Sequence, residues 1–223
     1  MADEETVQRL IAALEAQSMK YEVYYKLILA TGMRRGEICG LRWSDIDFNA
    51  STISVNRTVE YIPHEGLIFT APKTKASNRT FKVGANCMDM LREYQLYQKA
   101  ERLRVGSMWA RTVQVENGKT VQNDLLFTSW DGTPFDLERL TTWFPHFLRA
   151  HDLPAVHFHS LRHTYASLMI AAHVPITTVS GRLGHAQTST TTDIYAGFIR
   201  TADAAASDAM EIVFDNIREK SRA

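Results

Sequence analysis

Apolar residues at 7, 10, 11 and 14 of "EETVQRLIAALEAQ" recur at the spacing of one helical face, which predicts a surface helix with Asp3 or Thr6 as its cap. The following run, "YEVYYKLILATG", is apolar nearly all round, as a buried helix requires, and Gly32 stands where such a helix stops. "RRGEICGLRWSDIDF" then reads as a short helix from Arg35 to Leu41 that ends in a polar turn.

From residue 52 the period changes. "TISVNRTVEYI" alternates with β-branched residues, "GLIFTAP" follows a Pro-His-Glu-Gly turn, and "RTFKV" is a third short run, together predicting a small antiparallel sheet. The polar "KTKASN" reads as a hairpin loop held between two of its strands. A long helix starting near residue 85 should turn Met88, Leu91, Tyr94 and Leu103 inward. "ENGKT" reads as a turn at a hairpin tip, "DLLFTS" as a short strand, and "LERLTTWFPHFLRAHDL" as a helix bent or interrupted at Pro145.

Next comes "HFHSLRHTYASLMIAAH", with a helix from 159 to about 172 whose inward side carries Leu161, Tyr165, Leu168 and Met169. "PITTVSGRLG" is a shorter helix between Pro175 and Gly184, and "STTTDIYAGF" suggests another. The last stretch, "TADAAASDAMEIVFDNIREK", is amphipathic, with Met210, Ile212, Val213, Phe214 and Ile217 available for burial. The order, helices, then a small sheet, then mostly helices, predicts a mixed, helix-dominated single domain.

Composition narrows the class without naming a task. The 223 residues, 45% hydrophobic and 22% charged, are those of an ordinary soluble globular protein. No apolar run approaches the ~20 residues of a membrane span, and the acidic N-terminus is wrong for a secretory signal, so a cytoplasmic protein is expected. Cys39 and Cys87, far apart, exclude a disulfide framework or Cys-rich zinc site and read as reduced thiols packed in or near the core. The 25 basic and 25 acidic residues cancel, so net charge gives no hint of a nucleic-acid partner. The distribution is uneven, which matters more for a surface field than the sum: Lys73, Lys75, Arg79 and Lys82 fall within ten residues that contain no acid, a run that also reads as a solvated charged face.

Three histidines and an arginine crowd the start of the 159–172 helix: His157, His159, Arg162 and His163. They could ligate a metal, form a polar helix start without chemistry, or bind an anion. The metal reading lacks a HExxH-type pair and a close acid. The anion reading has support, because first-turn N–H groups and a guanidinium fork both favour phosphate oxygens. His159 and Arg162, three apart, point the same way. Arg34 just after one helix stop and His185 just after another repeat the pattern, and Tyr195 follows ten residues later.

"TGMRRGEICGLRWSDID", "PKTKASNRTF", "HSLRHTYAS" and "LGHAQTSTTTDIYAG" resemble, in order, the signature boxes of the catalytic domain of tyrosine site-specific recombinases, the phage and transposon integrase family. The likeness covers residues 31 to about 197. It implies an α+β, mostly helical catalytic domain with a small antiparallel sheet, the DNA breaking-rejoining fold. It assigns catalysis to Arg34, Lys73, His159, Arg162, His185 and the nucleophile Tyr195, with Glu37 as acidic helper and Lys75 as a rival for the lysine role. Arg35, Lys75 and Arg79 are then DNA contacts, His157 and His163 structural, Tyr165 and Tyr61 packing residues, and Thr190 to Thr192 a helix start presenting Tyr195.

The implied reaction breaks and rejoins DNA through a 3′-phosphotyrosine without metal, ATP or other cofactor, to integrate or excise a mobile element. The implied partners are double-stranded recombination sites, a homo-oligomer (a tetramer on DNA) assembled through the tail at 201–223, and accessory excision or DNA-bending proteins; the expected place is a bacterial cytoplasm. The whole chain is expected to be one catalytic domain, its core at about 4–200. DNA-clamping and arm-binding domains that usually precede it are expected to be missing, as in a shortened or a natural minimal form, which would also explain the zero net charge. The rivals are a silent DNA-binding relative, a type IB topoisomerase-like enzyme and a metal-dependent nuclease.

Overall fold

The computed structural model describes residues 3–62, 64, 66–72, 75–115, 119–185 and 191. Helix α1 (Glu4–Glu15) is capped by Asp3, whose carboxylate accepts the Thr6 N–H at 2.8 Å, and it buries Val7, Leu10 and Leu14. Helix α2 (Met19–Thr31) runs through the middle of the core with Val23, Tyr24, Tyr25, Leu27 and Ile28 buried. It stops at Gly32, whose φ of 64° is left-handed, and a Cβ there would lie 2.4 Å from the Tyr165 ring. Glycine is thus required twice, for the turn and for the close approach of the next layer. Helix α3 (Arg35–Cys39) starts three residues later.

Strands β1 (Ile46–Asp47), β2 (Thr52–Val55) and β5 (Arg79–Lys82) form one antiparallel sheet in the order β1-β2-β5, with Ile53 opposite both Ile46 and Phe81. β3 (Thr58–Ile62) and β4 (Gly66–Thr70) pair separately, with Val59 opposite Phe69. Two separate pairings therefore replace the single sheet read from the sequence, since the chain breaks at Asn56 and Arg57. The connection after β4 is likewise no hairpin: β4 pairs with β3 and β5 with β2, so it crosses from one sheet to the other.

Helix α4 (Ala85–Val105) buries Met88, Leu91 and Tyr94, but Leu103 is 83% exposed. At about 1.5 Å per residue the helix is roughly 30 Å long, and Arg102, Leu103 and Arg104 near its end are exposed. β6 (Thr112–Gln114) and β7 (Thr120–Gln122) form the hairpin expected around "ENGKT". "DLLFTS" is not a strand. Leu125, Leu126 and Phe127 are all buried, and the Leu125 and Leu126 carbonyls accept the side-chain amide of Gln98 at 3.1 and 2.9 Å. Helix α5 (Leu137–Ala150) runs uninterrupted through Pro145.

Helices α6 (Phe158–Ala171) and α7 (Ile176–Leu183) complete the described elements. α6 buries Leu161 and Tyr165, while Leu168 is exposed and Met169 only partly covered; Tyr61 on β3 is exposed too. The core is rich in aromatics: Tyr25 stacks on Phe144 at 4.5 Å and donates its hydroxyl to Leu140 O at 3.0 Å. Cys39 is a buried free thiol and Cys87 a partly buried one; burial pushes their pKa values up to about 12 and about 11, which keeps both protonated and inert. Among the described residues no helix is long and apolar enough to cross a membrane. The segment "STTTDIYAGF", apart from Thr191, and the tail at 201–223 lie outside the described residues.

Candidate active site

The site forms where three helix ends meet: the stop of α2, the start of α6 and the stop of α7. Arg162, on α6 and only 3% exposed, joins them. Its Nη1 donates to Gly32 O at 2.8 Å and its Nη2 to Leu183 O at 2.7 Å. Those carbonyls lie two residues ahead of Arg34 and of His185, so one guanidinium fixes where both side chains emerge. A helix leaves its last carbonyls unpaired, and a cation near that end is favoured by them.

Arg34 is the residue before α3 and remains 42% exposed. Its backbone N–H donates to Glu37 Oε2 at 2.8 Å and its Nη1 to Glu37 Oε1 at 3.0 Å. Glu37 is buried and takes a second arginine: Arg79 donates Nη1 to Oε1 at 3.0 Å and Nη2 to Oε2 at 2.9 Å. Burial acts to raise the Glu37 carboxyl, but the Arg79 hydrogen bonds and charge, with those of Arg34, outweigh it and hold the pKa below its ordinary value. Glu37 is therefore ionised at neutral pH.

The histidines are held in the opposite sense. Desolvation, then the charges of Arg162 and Arg34, lower His159. His163, packed edge-on to His159 with ring centroids 4.7 Å apart, is lowered by burial and by its neighbours His159 and Arg162. His185 is brought down to about 4 by burial and by Arg162, Arg34 and Arg79. Its Nδ1 lies 2.7 Å from the Thr191 hydroxyl, which fixes the ring. The result is a cluster of permanent guanidinium charges beside neutral imidazoles. Such a surface can hold an anion, accept a proton and donate hydrogen bonds to a phosphate.

The structure thus brings together Arg34, Glu37, His159, Arg162 and His185 of the residues singled out from the sequence. Lys73 and Tyr195 lie outside the described residues, and Lys75 is placed only by its backbone, in a 3-10 turn at Lys75–Ser77. Two expected DNA contacts point elsewhere. Arg35 binds α5, through Thr141 Oγ1 and through Leu137 O at 3.5 Å. Arg79, 7% exposed, is inside the protein, bound to Glu37 and to Arg182 O at 2.6 Å. Sequence reading also missed Arg182. It donates to the Tyr165 hydroxyl at 2.5 Å and to Lys82 O at 3.0 Å, and lies 4.9 Å over the Phe81 ring, clamping α7 to β5. Only the "GRLG" stop hinted at it. Among the described residues no three His, Cys, Asp or Glu side chains group as metal ligands.

The arrangement is that of a known class of catalytic domain. A Tn1549 transposon integrase in complex with a circular intermediate DNA superposes with a TM-score of 0.74 at 16% identity, over 92% of this chain and 65% of that one. The catalytic domain of bacteriophage HP1 integrase gives 0.55 at 18% identity, over 89% and 87%. The chain belongs to the phage integrase family, whose sequence model matches residues 1–198. A tyrosine recombinase XerC-like protein of Caldanaerobacter subterraneus subsp. tengcongensis is 33% identical over 88% of this chain and 50% of its own length. The ICEBs1 integrase of Bacillus subtilis is 24% identical over 86% and 48%. The chain spans about half the length of these curated relatives.

Proposed function

We propose that this chain is the catalytic part of a site-specific recombinase that cuts and rejoins DNA through Tyr195, in the service of a mobile element. The observation that carries the reading is the fork of Arg162, which sets Arg34 and His185 at one place beside His159. Family membership and integrase-named relatives support it, including the ICEBs1 integrase and a transposon integrase bound to DNA. They favour recombination over the topoisomerase-like alternative.

In the proposed reaction the Tyr195 oxygen attacks a DNA phosphorus. A Tyr–O–P bond forms, the P–O5′ bond breaks, and the 3′-phosphotyrosine conserves the bond energy, so no ATP is consumed. A free phenol has a pKa near ~10 and must lose its proton to attack. His159, kept neutral by burial and by two arginines, takes it. Charge building on the non-bridging oxygens is met by the half-exposed Arg34, with Arg162 adding its positive charge from beneath while its Nη1 and Nη2 hold Gly32 O and Leu183 O, and His185 donates to the same phosphate from the ring nitrogen not facing Thr191. The leaving 5′ oxygen takes a proton from Lys73, with Lys75 as the other lysine of that connection. A second DNA hydroxyl reverses the step on a new partner. The working species is a homo-oligomer on paired recombination sites, with the 201–223 tail docking between protomers.

The test is covalent trapping. On a nicked suicide substrate carrying a recombination site the protein should form an adduct that survives denaturation, and peptide mapping should place the DNA on Tyr195. An adduct on another residue, or cleavage without one, overturns the mechanism. Supercoil relaxation with no recombinant product would favour the topoisomerase-like reading.

A further inference from the structure

Arg79 is the first residue of β5, directly after the connection that bears Lys73 and Lys75. Its basic neighbourhood suggests a hand for DNA, yet four of the five N–H bonds of its guanidinium are spent inside the protein, and the side chain is only 7% exposed. Nη1 and Nη2 clasp the two Glu37 oxygens at 3.0 and 2.9 Å, Nε donates to Arg182 O at 2.6 Å, and Nη1 also reaches Ser77 O at 3.0 Å. The fit around it is tight. A Cβ on Gly184, where φ is 67°, would fall 2.7 Å from Nη1. The partners come from the start of α3, the end of α7 just ahead of His185, and the lysine-bearing connection.

The consequence falls on Arg34. A carboxylate and a guanidinium prefer a two-bond, fork-to-fork pairing. Glu37 makes that pairing with Arg79, so its side-chain bond to Arg34 is a single one from Nη1. The rest of the Arg34 fork stays at the surface, where the side chain is 42% exposed. We infer that Arg79 is a positioning residue: it occupies Glu37 so that Arg34 remains turned towards the scissile phosphate, and it holds the end of α7 that presents His185. The inference rests on the recombinase reading above and adds to it a residue that never touches DNA. Without Arg79 both Glu37 oxygens are open to Arg34, which would fold back onto them and leave the phosphate.

The experiment compares single-turnover cleavage of the nicked substrate at saturating DNA with DNA affinity across a salt series. The proteins are wild type, Arg79→Met and Arg79→Met/Glu37→Gln, at a temperature where melting curves show each folded. Arg79→Met should slow cleavage on the order of 10²-fold, the cost of a small misplacement of a reacting group. Its affinity and salt slope should match wild type. The double variant removes the carboxylate that captures Arg34 and should recover part of the loss, about tenfold. If Arg79→Met does not fold, the double variant carries the test alone, and should cleave about tenfold more slowly than wild type with unchanged salt slope. A slope reduced by about one phosphate, roughly 0.9, would make Arg79 a DNA contact and overturn the inference. So would a wild-type cleavage rate in whichever of the two variants folds, or a double variant no faster than a folded Arg79→Met. Absence of any adduct with wild-type protein would instead refute the recombinase reading.

Discussion

Two short helical turns in this protein use the same device and come to different ends. At the start of α3, Glu37 accepts the backbone N–H of Arg34 three residues earlier, and Arg79 on β5 clasps both of its oxygens. At the 3-10 turn of Trp43–Asp45, Asp45 Oδ2 accepts the backbone N–H of Arg42 at 2.8 Å, and Arg57, between β2 and β3, bonds the same oxygen. Both carboxylates are buried and both arginines come from the β region. The difference is what else touches the acid. Asp45 also accepts Asn56 Nδ2 at 3.0 Å, a neutral donor, whereas Glu37 shares an oxygen with a half-exposed arginine that lies beside neutral histidines. An acid beside two arginines is fully committed in one place and shares an oxygen with a half-exposed cation in the other.

The largest effects should fall on one side of that comparison. Tyr195→Phe should abolish the covalent adduct while DNA binding stays within a few-fold, as denaturing gels and a binding titration would show. Arg34→Ala should slow single-turnover cleavage by about 10³-fold or more, the scale for an arginine that meets transition-state charge. Loss of DNA binding with unchanged chemistry would contradict it. No matching loss is expected for Arg57→Ala, whose cost should appear as lower stability through the Asp45 charge it leaves behind.

The next contrast is in pH. The Glu37 carboxyl is lowered in the folded state, so the stability it contributes is present above the ordinary carboxyl range near ~4.3 and is lost as pH falls through its folded value. Urea unfolding should show the gap between wild type and Glu37→Gln narrowing below about pH 4. His185 adds a higher window: lowered to about 4 against an ordinary value near ~6.5, it stays neutral when folded, and stability declines as pH drops between those values. Its NMR titration midpoint in DNA-free protein should lie near about 4; a midpoint at or above ~6.5 would contradict the crowding by three arginines. Smallest of all, Arg35→Ala should cost about 1 kcal/mol of stability through its lost bonds to Thr141 and Leu137 O, with cleavage changed only a few-fold.

Periodicity revealed what is local in this fold. The face of α1, the first half of the α6 face at Leu161 and Tyr165, the stops at Gly32 and Gly184, and the motif order that gathers Arg34, His159, Arg162 and His185 all depend on spacing or on a few neighbouring residues. What depends on distant contact was not legible. "DLLFTS" looks like a strand because it is apolar, but it makes only isolated bridges, and the Leu125 and Leu126 carbonyls are met by Gln98, a side chain on α4 that no local pattern reveals. Leu103 keeps the helical period yet is 83% exposed among the described residues, and Leu168 is only partly covered. Arg79 is the clearest instance. Four cations in ten residues suggest a DNA-facing loop, and the carboxylate 42 positions earlier in the chain, with the Arg182 carbonyl 103 positions later, turns this one inward.

The comparison between the two acidic turns is tested most directly by Glu37→Gln against Asp45→Asn, each assayed for single-turnover cleavage at saturating DNA and for urea unfolding. Both acids are buried in arginine pairs, so both variants should lose stability by a similar amount, about 3 kcal/mol. Glu37→Gln should also cleave at least tenfold more slowly while folded, and Asp45→Asn should cleave at the wild-type rate. Equal cleavage by the two variants would contradict the account.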